Sequence, residues 1–364
     1  MSEREKVEGI VLIYQAVEDY LNERQRVAYR GHREKLIQWF ATSGKNPDAL
    51  EGYAKDTYYT YANIVCQFHR YVWGEKDRFT LDLDQDDAES YLRELVLSNE
   101  YSDSHLHNVK LALKAYFRFI GDDWKPDITI PSTSSASQPK DFVSEEERAA
   151  LREAVLEYGT VPAYAGLDPE KRNDWKRELA RRFGKPMDEI GRQDWDRANG
   201  FKYPTIMYAS LDAGLRPVEV GRAKTYWVDA ENCTLRIPAE ESSKNKDNWT
   251  VSIRSDTAEY LKRWLQERHL YDKYDDNDHL WLTRHGNPYS GKSLRVLLDN
   301  LREIAGIERD FSWYAIRHST GTYMAREEGL AAAQSQLRHQ REETTMKYDN
   351  VPPKRRRDAL DRMG

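Results

Sequence analysis

The stretch WYAIRHSTGTYM, residues 313–324, sets an awkward cation into an apolar pattern. Taken as a helix, it carries Trp313, Ile316, Thr320 and Met324 along one side, the spacing of a buried stripe. Arg317 falls within that stripe and His318 follows it. Tyr314, one turn earlier, lies on nearly the same face. A guanidinium does not shed its charge, so burying it calls for a firm anionic or carbonyl partner. The partner is either a carboxylate of the chain or an anion from outside.

The surrounding chain bounds the choices. At 364 residues it has room for two domains, or for one with large insertions. Hydrophobic residues make up 39% and charged residues 32%, which suits a soluble, mostly helical protein with much surface. No apolar run reaches membrane-spanning length, and MSEREKVEGIVLIYQ places charges where a signal peptide needs an apolar core. Cys66 and Cys233 offer neither a disulfide framework nor a metal cluster. A cytoplasmic location without membrane association is expected. The formal net charge of −6 argues against a uniformly basic DNA-binding protein. It leaves room for one whose Lys and Arg gather on a single face.

Residues 5–120 read as helices broken by polar turns. The candidates are RVAYRGHREKLIQWF, DTYYTYANIVCQFHRYVWG, DQDDAESYLRELVL and DSHLHNVKLALKAYFRFIG. In the second, Tyr61, Ile64, Phe68 and Tyr71 repeat at helical spacing. GDDWKPDITIPSTSSASQPKD, rich in Pro, Ser and Thr, reads as an exposed linker. VSEEERAALREAVLEYG then opens a second part, with Ser144 as N-cap and Glu147 at the capping-box position. The charged segment 160–200, with the helical PEKRNDWKRELARRFG, is a candidate insertion. From 202 a helix through Ile206, Met207 and Leu211 stops at Gly214, and Pro217 opens the next. YWVD, TLRIP and WTVSI predict three short strands, followed by helices over 256–269, 291–305, 313–327, 330–338 and 344–351. The fold class expected is mainly α with a small antiparallel β-sheet.

Singly, the polar residues of this second part have ordinary readings. Arg216 in AGLRPVEV pairs with Glu219 one turn later. Lys244 and Lys246 in ESSKNKDN are solvated hairpin lysines. His339 in LRHQ is a surface or capping histidine, and Tyr348 is one of 23 tyrosines. No metal-ligand spacing, glycine-rich phosphate loop or Ser/His/Asp grouping competes with them.

Together, Arg216, Lys244, Arg317, His339 and Tyr348 follow the order and approximate spacing of the tyrosine recombinase (phage integrase) family, and the chain resembles its Xer-like members. AGLRPVEV resembles the first-arginine box, with Glu219 three residues after Arg216. ESSKNKDNWTVSI resembles the catalytic β-hairpin, and FSWYAIRHSTGTYM the box His-x-x-Arg-His-(Ser/Thr)-x-x-Thr. LRHQREETTMKYDNV resembles the closing box, His339 preceding Tyr348 by nine residues. Two positions depart from the pattern: Tyr314 stands where the family's first His is usual, and Arg338 replaces the glycine of Leu-Gly-His.

The resemblance implies an arrangement and a chemistry. Residues 1–45 would be an N-terminal helical extension and 46–121 a core-binding, SAM-like helical domain. Residues 122–141 would be a linker and 142–351 the α+β catalytic domain, 160–200 included. The basic tail 352–364 is either solvated or docked on a neighbouring protomer. The two domains would form a C-shaped clamp on double-stranded DNA, with four protomers acting on two paired sites. Tyr348 would be the nucleophile and Arg216 and Arg317 would bind the scissile phosphate. His339 would donate to a non-bridging oxygen, and Lys244, with Lys246 as the alternative, would protonate the leaving oxygen. Glu219 and His318 would support them, and neither a metal nor a cofactor is implied. Strand exchange would pass through a Holliday junction, as in DNA integration by mobile genetic elements. The alternative is a DNA-binding architectural or regulatory protein of this fold with weakened or lost catalysis, for which Tyr314 is the sequence argument. A helical interaction protein without a DNA role would leave all four boxes unexplained.

Overall fold

The computed structural model describes residues 4–130, 142–242, 247–340 and 342–346. Two compact units divide the chain near residue 138. Both are mostly helical, with small antiparallel sheets. Among the described residues no helix is long and apolar enough to cross a membrane.

The first unit opens with strands β1 (Lys6–Val7) and β2 (Ile10–Val11), a hairpin turned by Glu8 and Gly9, both at positive φ. Such a turn is usually signalled by Asn-Gly or Asp-Gly, so Glu-Gly does not announce it. The helices are α1 (Gln15–Glu18), α2 (Glu23–Thr42), α3 (Lys55–Glu75), α4 (Gln85–Ser98) and α5 (Asp103–Phe119). Asn22 and Asp84 each close a capping box, on Gln25 and Asp87, which satisfies the first orphan N–H groups of α2 and α4. Residues 1–45, expected as an extension, supply core: Ile10, Leu36, Ile37 and Phe40 pack with Val65 and Phe68 of α3 and Leu113 of α5. Each such side chain contributes roughly 1.5–3 kcal/mol by leaving water. Within this core His69 is wholly buried, its ring 3.4 Å from the Tyr29 hydroxyl at Nδ1 and 3.2 Å from that of Tyr116 at Nε2.

The second unit is built around α9 (Lys202–Ala213), buried on almost every side, with α6 (Glu145–Glu157), α11 (Ser255–Arg268) and α13 (Trp313–Glu328) packed on it. Ser144 caps α6, and Glu147 reaches back to its N–H at 2.8 Å. The expected strands form β3 (Val228–Asp229), β4 (Thr234–Ile237) and β5 (Trp249–Ser252), antiparallel in that order. Leu235, Ile237 and Val251 point into the core and Arg236 and Thr250 away from it, the period-two alternation of a half-buried sheet. α10 (Pro217–Arg222) and α12 (Gly291–Ile304) complete the body, and α14 (Leu330–Leu337) and α15 (Glu342–Met346) follow α13.

Segment 160–200 carries α7 (Pro169–Phe183) and α8 (Arg192–Asp196) around a small core of its own, centred on Trp175, Leu179 and Trp195. Two charged contacts join it to the main body: Lys171 pairs with Asp272 near the surface, and Arg182 pairs with Glu267 in the interior. Arg182 meets the wholly buried Glu267 of α11 at 2.7 Å, and the Phe201 N–H donates to the same carboxylate at 2.8 Å. Burial pushes the Glu267 carboxyl above its ordinary range despite Arg182.

Candidate functional site

The site grows from the end of α9. Gly214 stops that helix in the left-handed region at φ +56°, where a side chain is disfavoured. A Cβ there would lie 2.6 Å from Leu337 Cδ2 and 3.5 Å from Arg317 Cγ. Glycine therefore serves two purposes: it ends the helix, and it lets α13 and α14 close onto the exposed carbonyl.

Arg216 is the N-cap of α10, and Pro217, fixed near helical φ, is the first residue inside. Glu219 folds back to accept from the Arg216 N–H and from Arg216 Nη1, both at 2.7 Å. The same carboxylate accepts from Arg338 Nη2 at 2.7 Å. Glu219 and Arg338 are both wholly inaccessible to water. Burial works to raise the Glu219 carboxyl, yet Arg338, Arg216 and Arg317 outweigh it and hold the group below its ordinary value.

Arg317 is buried on α13 as the apolar stripe requires, between Trp313, Ile316 and Thr320, with Met324 half-buried further along. Its Nη1 donates to the Gly214 carbonyl at 2.5 Å, and its Nη2 to the Leu337 carbonyl. These are the two carbonyls left open where α9 and α14 end, so two helix C-termini hold the cation, aided by the nearby charge of Glu219. Arg338 follows Leu337 in the left-handed region, at φ +58°, the position where the family pattern has glycine. That costs a non-glycine residue about 1–2 kcal/mol. In return its guanidinium reaches the carbonyls of Ala213 at 2.8 Å, Gln336 at 3.0 Å and Gly214 at 3.3 Å.

The left-handed turn at Arg338 aims His339 inward. His339 is buried, with Nδ1 3.0 Å from the Thr345 hydroxyl of α15. Arg216 and Arg317, about a hundred residues apart in sequence, thus converge on Glu219 and Gly214, with Arg338 joining both, and His339 follows Arg338 in the chain. Tyr314 is exposed on α13, its ring 6.5 Å from that of half-buried His318. Lys244, Lys246 and Tyr348 lie outside the described residues. Strand β5 is held to α14 by Gln336. Its Nε2 donates to the carbonyls of Ser252 at 2.7 Å and Asp212 at 3.0 Å, and its Oε1 accepts from the Ser252 N–H at 3.2 Å.

Sequence reasoning did not find the roles of Arg338 and Gln336. The signal for Arg338 was the arginine in place of glycine; Gln336 carries none. A cleft of about 690 Å³ beside α13, lined among others by Arg148, Arg152 and Arg254, holds none of the candidate site residues.

Residues 195–355 match the phage integrase family, and residues 47–125 match the phage integrase N-terminal SAM-like domain. Tyrosine recombinase XerA of Thermococcus kodakarensis is 24% identical over 335 residues, 90% of this chain and 94% of that protein. Tyrosine recombinase XerC of Actinobacillus pleuropneumoniae serotype 7 is 30% identical over 147 residues, 40% of this chain and 45% of its own. In fold the chain is similar to the XerH site-specific recombinase bound to palindromic difH substrate, with a TM-score of 0.57 at 16% identity, covering 93% of this chain and 88% of that one. With both family domains matched in order, and with its recombinase relatives, the chain belongs to the phage integrase, or tyrosine recombinase, family.

Proposed function

We propose that this chain is a site-specific DNA recombinase that cuts and rejoins duplex DNA through a covalent bond to Tyr348. The observation that carries the proposal is the convergence of Arg216 and Arg317, from separate stretches, on one buried network through Glu219, Arg338 and Gly214. Its relatives are named tyrosine recombinases, and a protein of similar fold is a site-specific recombinase bound to its DNA substrate, which supports the reading.

Breaking a phosphodiester without an energy source requires that the bond energy be kept in a covalent intermediate. The Tyr348 oxygen attacks phosphorus and loses its proton. A 3′-phosphotyrosyl bond forms as the bond to the 5′-oxygen breaks. Charge gathers on the two non-bridging oxygens in the transition state, where Arg216 and Arg317 supply preorganised donors. His339 donates to a non-bridging oxygen. Lys244, or Lys246 beside it, protonates the departing 5′-oxygen. Glu219 holds Arg216 in place and His318 supports α13's part of the site. Four protomers on two sites would exchange strands in pairs through a Holliday junction, the reverse attack by a 5′-hydroxyl resealing each strand.

The test is incubation with nicked substrates carrying the chain's own site. A denaturation-resistant protein–DNA adduct is expected, lost in Tyr348→Phe with DNA binding kept. Binding at the true site that never yields an adduct would refute the enzymatic reading in favour of an architectural protein.

A further inference from the structure

We propose that Arg338 is a positioning residue for DNA cleavage, fixing Arg216 through Glu219 and Arg317 through the Gly214 carbonyl that the two guanidiniums share. The inference rests on the reading of Arg216 and Arg317 as the phosphate-binding pair.

The Glu219 carboxylate divides its two oxygens. Oε1 takes Arg216 Nη1, and Oε2 takes the Arg216 N–H together with Arg338 Nη2. A single carboxylate facing a single guanidinium orients it but also cancels its charge, which weakens its pull on a phosphate. Arg338 alters that balance. The group becomes Arg–Glu–Arg with a net positive charge, so Glu219 can orient Arg216 without neutralising it. The second effect is geometric. The Gly214 carbonyl accepts from Arg317 Nη1 at 2.5 Å and from Arg338 Nη2 at 3.3 Å, and Arg338 also holds Ala213, the last residue of α9. One planar fork thus joins the end of α9, the start of α10 and the acceptor of Arg317. Arg338 itself is wholly buried, so it acts through these groups and does not touch DNA.

The backbone supports the same conclusion. The turn before His339 needs the left-handed region, which glycine enters freely. An arginine there spends conformational energy for its side-chain contacts, and those contacts go to the framework of the two candidate phosphate-binding residues.

Three variants and a double variant separate this role from a merely structural one. Arg338→Gly relieves the backbone, Arg338→Met keeps length without charge, and Arg338→Lys keeps charge without the fork. Each is measured for thermal stability, DNA affinity and single-turnover adduct formation on nicked substrate. Arg338→Gly and Arg338→Met are expected to cleave about 10- to 100-fold more slowly, with affinity within about threefold. Arg338→Lys should recover part of the rate. Combining Arg338→Met with Glu219→Gln should slow cleavage by less than the product of the two single losses, because both act on Arg216 by one route while the Gly214 route belongs to Arg338 alone. Wild-type cleavage by Arg338→Gly, or additive losses in the double variant, would overturn the proposal while leaving the recombinase reading intact. Absence of any Tyr348-dependent adduct from the unaltered protein would overturn both.

Discussion

Arg317 and Arg338 donate to the same carbonyl oxygen, that of Gly214. The acceptor is available only because residue 214 lacks a side chain and sits at positive φ. Gly214→Ala therefore combines backbone strain with a Cβ 2.6 Å from Leu337 Cδ2. It should lower stability by about 2 kcal/mol, read from urea unfolding, and should slow adduct formation as both arginines shift. An unchanged unfolding midpoint would show that α14 yields freely at this point.

Glu219 stands between two buried guanidiniums, and its carboxyl is held below the ordinary value. Its folded pKa is depressed, so its contribution is present at neutral pH and is lost as acidity moves down through that lowered value. Glu219→Gln removes one side of a buried ion-pair group and should destabilise by about 3–5 kcal/mol at pH 7. The difference from the unaltered protein should narrow as the pH drops below about 4.5. Denaturant midpoints across pH 3–7 measure this, and a constant difference would contradict it.

The N-terminal unit should respond to acid earlier. Burial drives His32 down to about 4 and His69 well below its ordinary value, so both are neutral in the folded state. In the unfolded chain they take up protons near pH 6.5, so stability falls as the pH drops from there, the His32 share levelling off near 4. For His32 the loss reaches about 3 kcal/mol. Hydrogen exchange followed by mass spectrometry across pH 4–7 should show protection in α2, α3 and α5 declining over that window. His32→Gln should flatten the decline.

The charged segment 160–200 should be releasable. Arg182→Met leaves the Glu267 carboxylate buried with, among the described residues, the Phe201 N–H and the Tyr271 hydroxyl as its remaining hydrogen-bond partners. A cost of about 3 kcal/mol is expected. It should appear as faster proteolysis within 160–200, ahead of any change in the Trp227 and Trp281 core. Cleavage at the wild-type rate would show that the segment is held without Arg182, by the Lys171–Asp272 pair and the packing around Trp175.

Tyr314 offers the cleanest substitution on α13. Because it is exposed, Tyr314→His should leave stability within about 0.5 kcal/mol. An imidazole at this position should raise the rate of adduct formation and add an inflection near pH 6.5 to the rate profile. An unchanged profile would mean that the phenol serves as well.

Much of this was legible in advance because local rules and tertiary contacts agree. Gly214 and Pro217 mark a stop and a start, Ser144 and Glu147 cap α6, and the Val, Thr and Ile of the three strands alternate about one buried face. The buried stripe through Arg317 was equally plain. What held Arg317 was not, since a backbone carbonyl has no sequence signature. The question posed by that arginine resolves to the carbonyls of Gly214 and Leu337, an answer that requires knowing which helix ends meet. Arg338 was visible as a departure, but its bond to Glu219 spans 119 residues and follows no local period. The N-terminal hairpin went unread because glutamate occupies a turn position usually filled by Asn, Asp or Gly.

The Gln336 amide has no proton to gain or lose near neutral pH. Acid that reaches Glu219 therefore leaves the joint between α14 and β5 as it was. The clasp between the last helices and the sheet is blind to pH, although the Glu219 carboxylate is not.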